Sequence, residues 1–183
     1  ANMNHLRKSK EHGLKEILFS LHGPTTETHE RITNRKGSFD KILQGIRNAK
    51  ELGMIVRINC TVYSRNYDQL ETVYADLIND IKPLQVNFIT LNYWLEDNDN
   101  DFSNLSLKEL TDGIKRCIDK INPEIEIQVR YTPFCYMKGY EKYQYNIYQH
   151  IYDVRDWNRE CYNQEMDVSI AYTEEEKIQM AYR

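Results

Sequence analysis

The stretch ILFSLHGPTTETHERITNRKGSFDKILQGIRNAKELGMIVRINCTVYSRN, residues 17–66, decides the fold. Runs of strand length stand at its two ends, EILFS at 16–20 and MIVRINCTVY at 54–63, and the second is rich in β-branched residues. Between them, apolar residues recur at helical spacing over 38–52, with Ser38 as the predicted N-cap and Gly53 as the predicted C-cap. A strand, a helix and a second strand in this order predict a parallel βαβ unit.

The same alternation continues toward the C-terminus. A helical pattern follows Asn66, a third strand is predicted at about 84–92, and a fourth lies in EIEIQVRY, residues 124–131. Between the last two, Ser106 and Glu109 have the spacing of a capping box at a helix start. The predicted fold class is therefore α/β, with about four parallel strands.

The length of 183 residues limits what these strands can form. A complete (β/α)₈ barrel usually needs ~250 residues, so the parallel sheet is expected to be a partial (β/α) barrel fragment over residues 1–131. From residue 132 to 183 the sequence is rich in tyrosine and shows no strong period. We expect this part to be a C-terminal extension whose aromatic residues pack onto the barrel fragment.

Composition excludes several classes of protein. The net charge of −4 makes nucleic acid an unlikely main partner, because phosphate binding favours a basic surface. No apolar run approaches the ~20 residues of a membrane span, and the polar start of the chain does not resemble a signal peptide. The four cysteines lack C-x-x-C spacing, which favours a reducing compartment, the cytoplasm.

Parallel α/β folds place their chemistry at the carboxyl ends of the strands. Here those ends contain S-L-H-G at residues 20–23, the polar residues of R-I-N-C-T-V and Asn66 after the second strand. The order and spacing of S-L-H-G, H-E-R-I-T, G-S-F and R-I-N-C-T-V, followed by Asn66, resemble the central part of radical S-adenosylmethionine (radical SAM) enzymes over about fifty residues.

The resemblance implies a [4Fe-4S] cluster that cleaves S-adenosylmethionine to a 5′-deoxyadenosyl radical, which then abstracts hydrogen from a small-molecule or peptide substrate. Members of this family hold the cluster with a C-x₃-C-x₂-C loop, and a Gly-Gly-Glu-like segment binds the methionine amine. This sequence has neither motif. We therefore expect a C-terminal part of such an enzyme, partnered by a missing N-terminal half of the barrel, or a lineage without the cluster, and no metal ligands in this chain.

Four residues are predicted to contact S-adenosylmethionine on the strength of this resemblance: Ser20, Arg31, Asn59 and Asn66. Each has an ordinary alternative. Ser20 could cap local backbone, Arg31 could be a surface arginine, Asn59 could be paired inside the fold, and Asn66 could serve as a helix N-cap.

Other residues that suggest chemistry have simpler interpretations. His22 and His29 are seven positions apart, which is not the spacing of a zinc helix, so His29 is expected to make local hydrogen bonds. Gly23 is expected to provide a backbone conformation closed to other residues. Cys135 and Cys161 are too isolated to form an auxiliary cluster by themselves. The acidic stretch EDNDND lacks the spacing of a calcium loop and is expected to be a solvated loop.

Two alternatives to the enzyme fragment remain open. The chain could be a non-catalytic binding or interaction module derived from such a barrel. It could also be an unrelated parallel α/β enzyme, in which case no parallel pair of strands would end near Ser20 and Tyr63.

Overall fold

The computed structural model describes residues 2–90 and 105–144. Within them, helices and strands alternate along the chain, as the sequence predicts. The helices are α1 (Met3–Glu11), α2 (Thr26–Thr33), α3 (Ser38–Glu51), α4 (Ala75–Ile81) and α5 (Leu107–Lys120), and the strands are β1 (Glu16–Ser20), β2 (Ile55–Val62), β3 (Gln85–Thr90) and β4 (Glu126–Arg130).

The four strands form one parallel sheet in the order β1-β2-β3-β4. Each strand is joined to the next by a crossover that contains a helix, and this arrangement confirms the predicted α/β fold with a partial barrel sheet. The register places Ser20 opposite Asn59, Asn59 opposite Asn87, and Asn87 opposite Gln128. A strand ending at Ser20 thus lies beside a parallel strand ending close to Tyr63, against the expectation for an unrelated fold.

One face of the sheet forms the hydrophobic core. Along β2, Val56, Ile58, Cys60 and Val62 are buried and alternate with residues that are partly exposed. Helices α3 and α5 cover this face with residues such as Ile46 and Ile114, which belong to the same cluster. Burying each such aliphatic side chain contributes roughly 1.5–3 kcal/mol. The opposite face is consequently left to the polar residues of the alternation.

The helix ends agree in part with the sequence. Ser106 and Glu109 form the predicted capping box at the start of α5. The prediction of Ser38 as N-cap is wrong, because Gly37, at φ 73°, takes that place and Ser38 is the first helical residue. At the other end Leu52 is the C-cap, and Gly53 follows it at φ 65°. Both glycines take the left-handed backbone that costs other residues energy.

The helix predicted after Asn66 is divided into three parts. A 3₁₀ turn at Tyr67–Gln69 and a π turn at Leu70–Tyr74 precede the regular helix α4. The wide turn ends at Tyr74, which is fully buried, and whose hydroxyl donates a 2.7 Å hydrogen bond to the carbonyl of Leu21. A tertiary contact thus accompanies the departure from regular helix.

Several predictions concern residues outside those described. Cys161, the acidic stretch 96–101 and residues 145–183 of the extension belong to this group. Of the extension, the structure describes 3₁₀ turns at Phe134–Met137 and Glu141–Tyr143, and Met137 joins the core. Among residues 2–90 and 105–144, no helix is long and apolar enough to cross a membrane.

Candidate functional site

The polar face of the sheet carries one row of side chains at the same level on all four strands. Ser20, Asn59, Asn87 and Gln128 form this row, which we call the amide row. Ser20 is exposed and Asn59 half-buried, whereas Asn87 is only 2% exposed. The row lies toward the carboxyl ends of the strands, where parallel α/β proteins bind their ligands.

The centre of the amide row has unused hydrogen-bonding capacity. Nδ2 of Asn87 donates a 2.6 Å hydrogen bond to Oδ1 of Asn59. Oδ1 of Asn87 is buried and has no hydrogen-bond partner among the described residues. Leaving such an acceptor unsatisfied costs about 1–3 kcal/mol, so a bound donor at this position would recover that energy.

The β4 end of the row is satisfied within the protein. Gln128 donates to Glu126 over 3.0 Å and accepts from Nη2 of Arg130 over 3.1 Å. Nearer the amino ends of the strands, Nη1 of Arg57 and Oε1 of Glu16 form an ion pair at 3.1 Å. Within the amide row, the capacity for a new polar ligand therefore lies on β1, β2 and β3.

The turns after β1 and β2 are fixed to each other by backbone-to-side-chain hydrogen bonds. Nδ1 of His22 accepts from the backbone N–H of Thr61 at 3.1 Å, and Nδ1 of His29 accepts from the N–H of His22 at 3.2 Å. The two rings are stacked with centroids 6.0 Å apart. His29 thus makes the local hydrogen bond expected from the sequence, and His22 joins the two strand ends.

Asn66 completes the same connection. It is 1% exposed, and its Nδ2 donates to the carbonyls of His22 and Thr61, both at 2.7 Å. Its Oδ1 accepts from the N–H of Tyr63 at 3.0 Å. Asn66 occupies the N-cap position of the 3₁₀ turn, as predicted, but its side chain makes no capping hydrogen bond. Its side chain holds the turn together, and contact with a cofactor stays a prediction.

Arg31 lies at the end of α2, on the outside of these turns. Its Nη2 donates a 2.9 Å hydrogen bond to the carbonyl of Arg65, which ties α2 to the turn after β2. The predicted contact between Arg31 and S-adenosylmethionine stays a prediction. The structure therefore brings Ser20 and Asn59 together in one row and places Arg31 and Asn66 in the supporting turns.

Gly23 is explained by a close approach. Its φ lies outside the left-handed region, so the expected special backbone conformation is wrong. A Cβ at this position would lie 2.7 Å from Cγ2 of Thr28 and 2.8 Å from the backbone N of His29. Only glycine lets the turn after β1 contact the first turn of α2 this closely.

Burial shifts the pKa values of His22, Cys60 and Cys117. Desolvation, with a smaller contribution from the neighbouring His29, lowers the pKa of His22 to about 4. Desolvation raises the pKa of the Cys60 thiol to about 12 and also raises that of Cys117. His22 is therefore a neutral imidazole at pH 7, and both thiols are protonated core groups.

The described residues offer no metal centre. Among residues 2–90 and 105–144, no group of three or more His, Cys, Asp or Glu side chains could hold a metal ion. Cys60 and Cys117 are buried free thiols, and Cys135 is an exposed free thiol. The residues present do not fit a [4Fe-4S] cluster, which needs thiolates grouped closely together.

Sequence reasoning did not identify Asn87. The signal was present, because Q-V-N-F-I-T alternates and puts Gln85 and Asn87 on the polar face. The partner of Asn87 is set by the sheet register, which local spacing does not contain. His22 was considered as a metal ligand or an acid–base group, although its position directly after the strand end suits a structural hydrogen bond.

Comparison with known proteins agrees with this architecture. The family model of the radical SAM superfamily matches residues 2–77. Fe-coproporphyrin III synthase of Methanosarcina barkeri is 28% identical over 114 residues, which cover 62% of this chain and 28% of that protein. GTP 3′,8-cyclase of Aquifex aeolicus is 32% identical over 115 residues, covering 61% of this chain and 35% of that protein.

The matched parts cover about a third of these curated relatives. The family match includes β1 and β2, two of the four strands that bear the amide row. It also includes the turn at His22, helix α3 and Asn66. Residues 2–77 of the chain are thus similar to the radical SAM superfamily.

Proposed function

We propose that this chain supplies part of the S-adenosylmethionine-binding wall of a radical SAM enzyme that abstracts hydrogen from its substrate. The observation that carries the proposal is the amide row, in which a buried acceptor of Asn87 lacks a partner beside the half-buried Asn59. The similarity to the superfamily supports S-adenosylmethionine as the ligand, and the row is the proposed place that holds it.

The chemistry of the row suits the polar groups of S-adenosylmethionine. The ligand carries an ammonium, a carboxylate and two ribose hydroxyls. Oδ1 of Asn87 can accept from an ammonium or a hydroxyl, whereas Nδ2 of Asn59 and the Ser20 hydroxyl can donate to a carboxylate or a ribose oxygen. Ser20 makes no side-chain hydrogen bond to any described residue, so its hydroxyl is available.

The supporting turns would keep this wall rigid. Asn66, His22 and His29 satisfy the backbone where β1 and β2 end. A preorganised row loses less conformational entropy when the ligand binds. Arg31 acts in the same way, since its contact joins α2 to the turn after β2.

S-adenosylmethionine bound beside a reduced cluster supplies radical hydrogen abstraction in this superfamily. The cluster ligands have to come from outside the described residues, and we propose a further part of the barrel as their source. The substrate is proposed only as a small molecule or peptide. Cys60, Cys117 and Cys135, which are free thiols, support the cytoplasm as the proposed location.

A binding experiment on the whole 183-residue chain tests the proposal. S-adenosylmethionine is titrated and binding is followed by calorimetry and by amide chemical shifts. Asn87→Leu and Ser20→Ala are each expected to weaken binding about tenfold, the value of one lost hydrogen bond of about 1.4 kcal/mol. Asn4→Ala, on the exposed face of α1, is the matched control and should leave binding unchanged.

Two outcomes would oppose the proposal. If both row variants bind as tightly as the original chain, the amide row is not the site. If anaerobic reconstitution gives a stable stoichiometry of about four irons per chain, the cluster is held by this chain and its source is wrongly assigned. Absence of any binding by a folded chain would favour a non-catalytic interaction module.

A further inference from the structure

A cavity lies on the helical side of the sheet, opposite the face that carries the amide row. Its volume is about 290 Å³, and its lining residues come from β1, α2, the following loop and α3. Phe19 points to the core side of β1, whereas its neighbour Ser20 belongs to the opposite face. The lining residues are Phe19, His29, Arg35, Ser38, Lys41 and Ile42.

Two cations line this cavity without a partner. The side chains of Arg35 and Lys41 are exposed, and neither makes an ion pair or a hydrogen bond with any residue in the described ranges. Exposed cations are usually neutralised by nearby carboxylates or by solvent ions. A pair of free cations at one cavity favours an anionic ligand with two or more oxygens.

The first turn of α3 adds backbone donors. This 14-residue helix begins after Gly37, and no side chain caps it. The N–H of Ser38 is bonded to the carbonyl of Arg35 at 3.2 Å, whereas those of Phe39 and Asp40 have no partner among residues 2–90 and 105–144. Helix N-termini of this kind attract phosphate and carboxylate groups through free N–H groups and the helix dipole.

His29 provides an independent indication of a ligand. The side chain is 2% exposed, and its Nδ1 already accepts from the backbone N–H of His22. In the neutral ring the proton is then on Nε2. That nitrogen has no partner among the described residues, although His29 lines the cavity. An anion in the cavity would give this N–H an acceptor.

The surrounding acidic groups do not cancel this charge. Glu30 follows His29 along α2, and Asp40 lies in the first turn of α3, but neither carboxylate lines the cavity. Phe19 and Ile42 form an apolar wall beside the cations. An apolar wall next to an anion site suits an organic group attached to the anion better than a bare ion.

We propose that this cavity binds a phosphate monoester, with its phosphate group held by Arg35, Lys41, the start of α3 and Nε2 of His29. The site goes beyond the proposed binding of S-adenosylmethionine and does not depend on it, since the two lie on opposite faces of the sheet. The ester group would rest against Phe19 and Ile42.

The test uses the complete chain with phenyl phosphate and inorganic phosphate as probes. Phenyl phosphate is expected to bind saturably and at least fivefold more tightly than inorganic phosphate, with amide shifts concentrated at Phe39 and Asp40. Arg35→Gln and Lys41→Gln are each expected to weaken binding about tenfold, within the range of one charged hydrogen bond. Lys36→Gln, an exposed cation outside the lining, is the matched control.

Two variants of His29 separate its structural role from its binding role. His29→Asn keeps an acceptor at the position of Nδ1 and removes the donor at Nε2, so binding should fall although the fold is retained. His29→Gln keeps a donor near Nε2 and should bind more tightly than His29→Asn. Asn87→Leu is also combined with each His29 variant. If it still weakens the binding of S-adenosylmethionine there, the two sites are independent.

Several results would overturn the proposal. A loss in Lys36→Gln as large as that in Arg35→Gln would indicate non-specific charge attraction. Equal affinity for the two probes would exclude the ester and leave a site for free phosphate. The absence of saturable phenyl phosphate binding, or unchanged binding in both cation variants, would show that the cavity is not a phosphate site.

Discussion

Asn59 and Asn87 lie opposite each other on β2 and β3, and the amide of Asn87 donates a 2.6 Å hydrogen bond to the amide oxygen of Asn59. The bond orients Oδ1 of Asn87, a buried acceptor without a partner among the described residues. Asn59 thus fixes the orientation of the Asn87 side chain on the polar face of the sheet.

Removing the acceptor of this pair should destabilise the chain. In Asn59→Ala, the buried amide of Asn87 loses its partner, and we expect the free energy of unfolding to fall by about 1–3 kcal/mol. In Asn59→Asp a carboxylate oxygen can still accept, so the loss at pH 7 should be smaller. Urea denaturation checks both values, and equal losses would show that the hydrogen bond contributes little.

Gly23 should tolerate no side chain. The Cβ of Gly23→Ala would lie 2.8 Å from the backbone N of His29, and backbone cannot move aside as a flexible side chain can. We expect a loss of about 1–3 kcal/mol in the free energy of unfolding, the usual range for an overpacked contact. Thr26→Ala, at the exposed start of α2, is the control, and a similar small effect in both variants would contradict the contact argument.

The strands could be predicted from the sequence because local alternation determines them. Val56, Ile58 and Cys60 alternate with polar residues, and this pattern alone separates the core face from the polar face. The capping box of α5 was equally accessible, since Ser106 and Glu109 are only three residues apart.

Features that depend on tertiary contacts could not be predicted in this way. Ser38 has the chemistry of an N-cap, but its hydroxyl lies 2.9 Å from Oγ1 of Thr33, and the helix begins after Gly37. The partner of Asn87 is 28 residues away along the chain, at a distance that only the sheet register defines. Sequence reasoning therefore identified Asn59 at the strand ends but not its partner Asn87, and the role of this row as a ligand site stays a prediction.

Stability should fall in acid because of His22. Its pKa is lowered to about 4 in the folded chain from 6.5, so the unfolded chain binds the proton first as the pH falls. The contribution of His22 is complete above pH 6.5 and is lost progressively toward pH 4, by about 3 kcal/mol at most. The lowered pKa of His29 acts in the same direction.

The variant His22→Asn isolates this effect from the titration of carboxylates. Asparagine can keep an acceptor toward the N–H of Thr61 but has no proton to gain in this range. Urea midpoints at pH 7.5 and pH 5 should therefore differ less in the variant than in the original chain. The same pH dependence in both proteins would mean that His22 is not the group responsible.

The open side of β1 should make the isolated chain associate. Among the described residues β1 pairs only with β2, and Leu18 on its polar face is 48% exposed. Unpaired strand edges beside exposed apolar side chains favour contacts between chains. We expect concentration-dependent association in light scattering. Leu18→Thr should weaken it roughly tenfold, because a buried leucine contributes about 1.5–3 kcal/mol.

Leu84→Thr is the matched control for this prediction. Leu84 is 52% exposed but lies just before β3, away from the β1 edge. The Leu84→Thr variant should associate as strongly as the original chain if the contact is formed at β1. If Leu84→Thr weakens association as strongly as Leu18→Thr, general surface hydrophobicity is the cause. A chain that stays monomeric at all concentrations would contradict an open edge at β1.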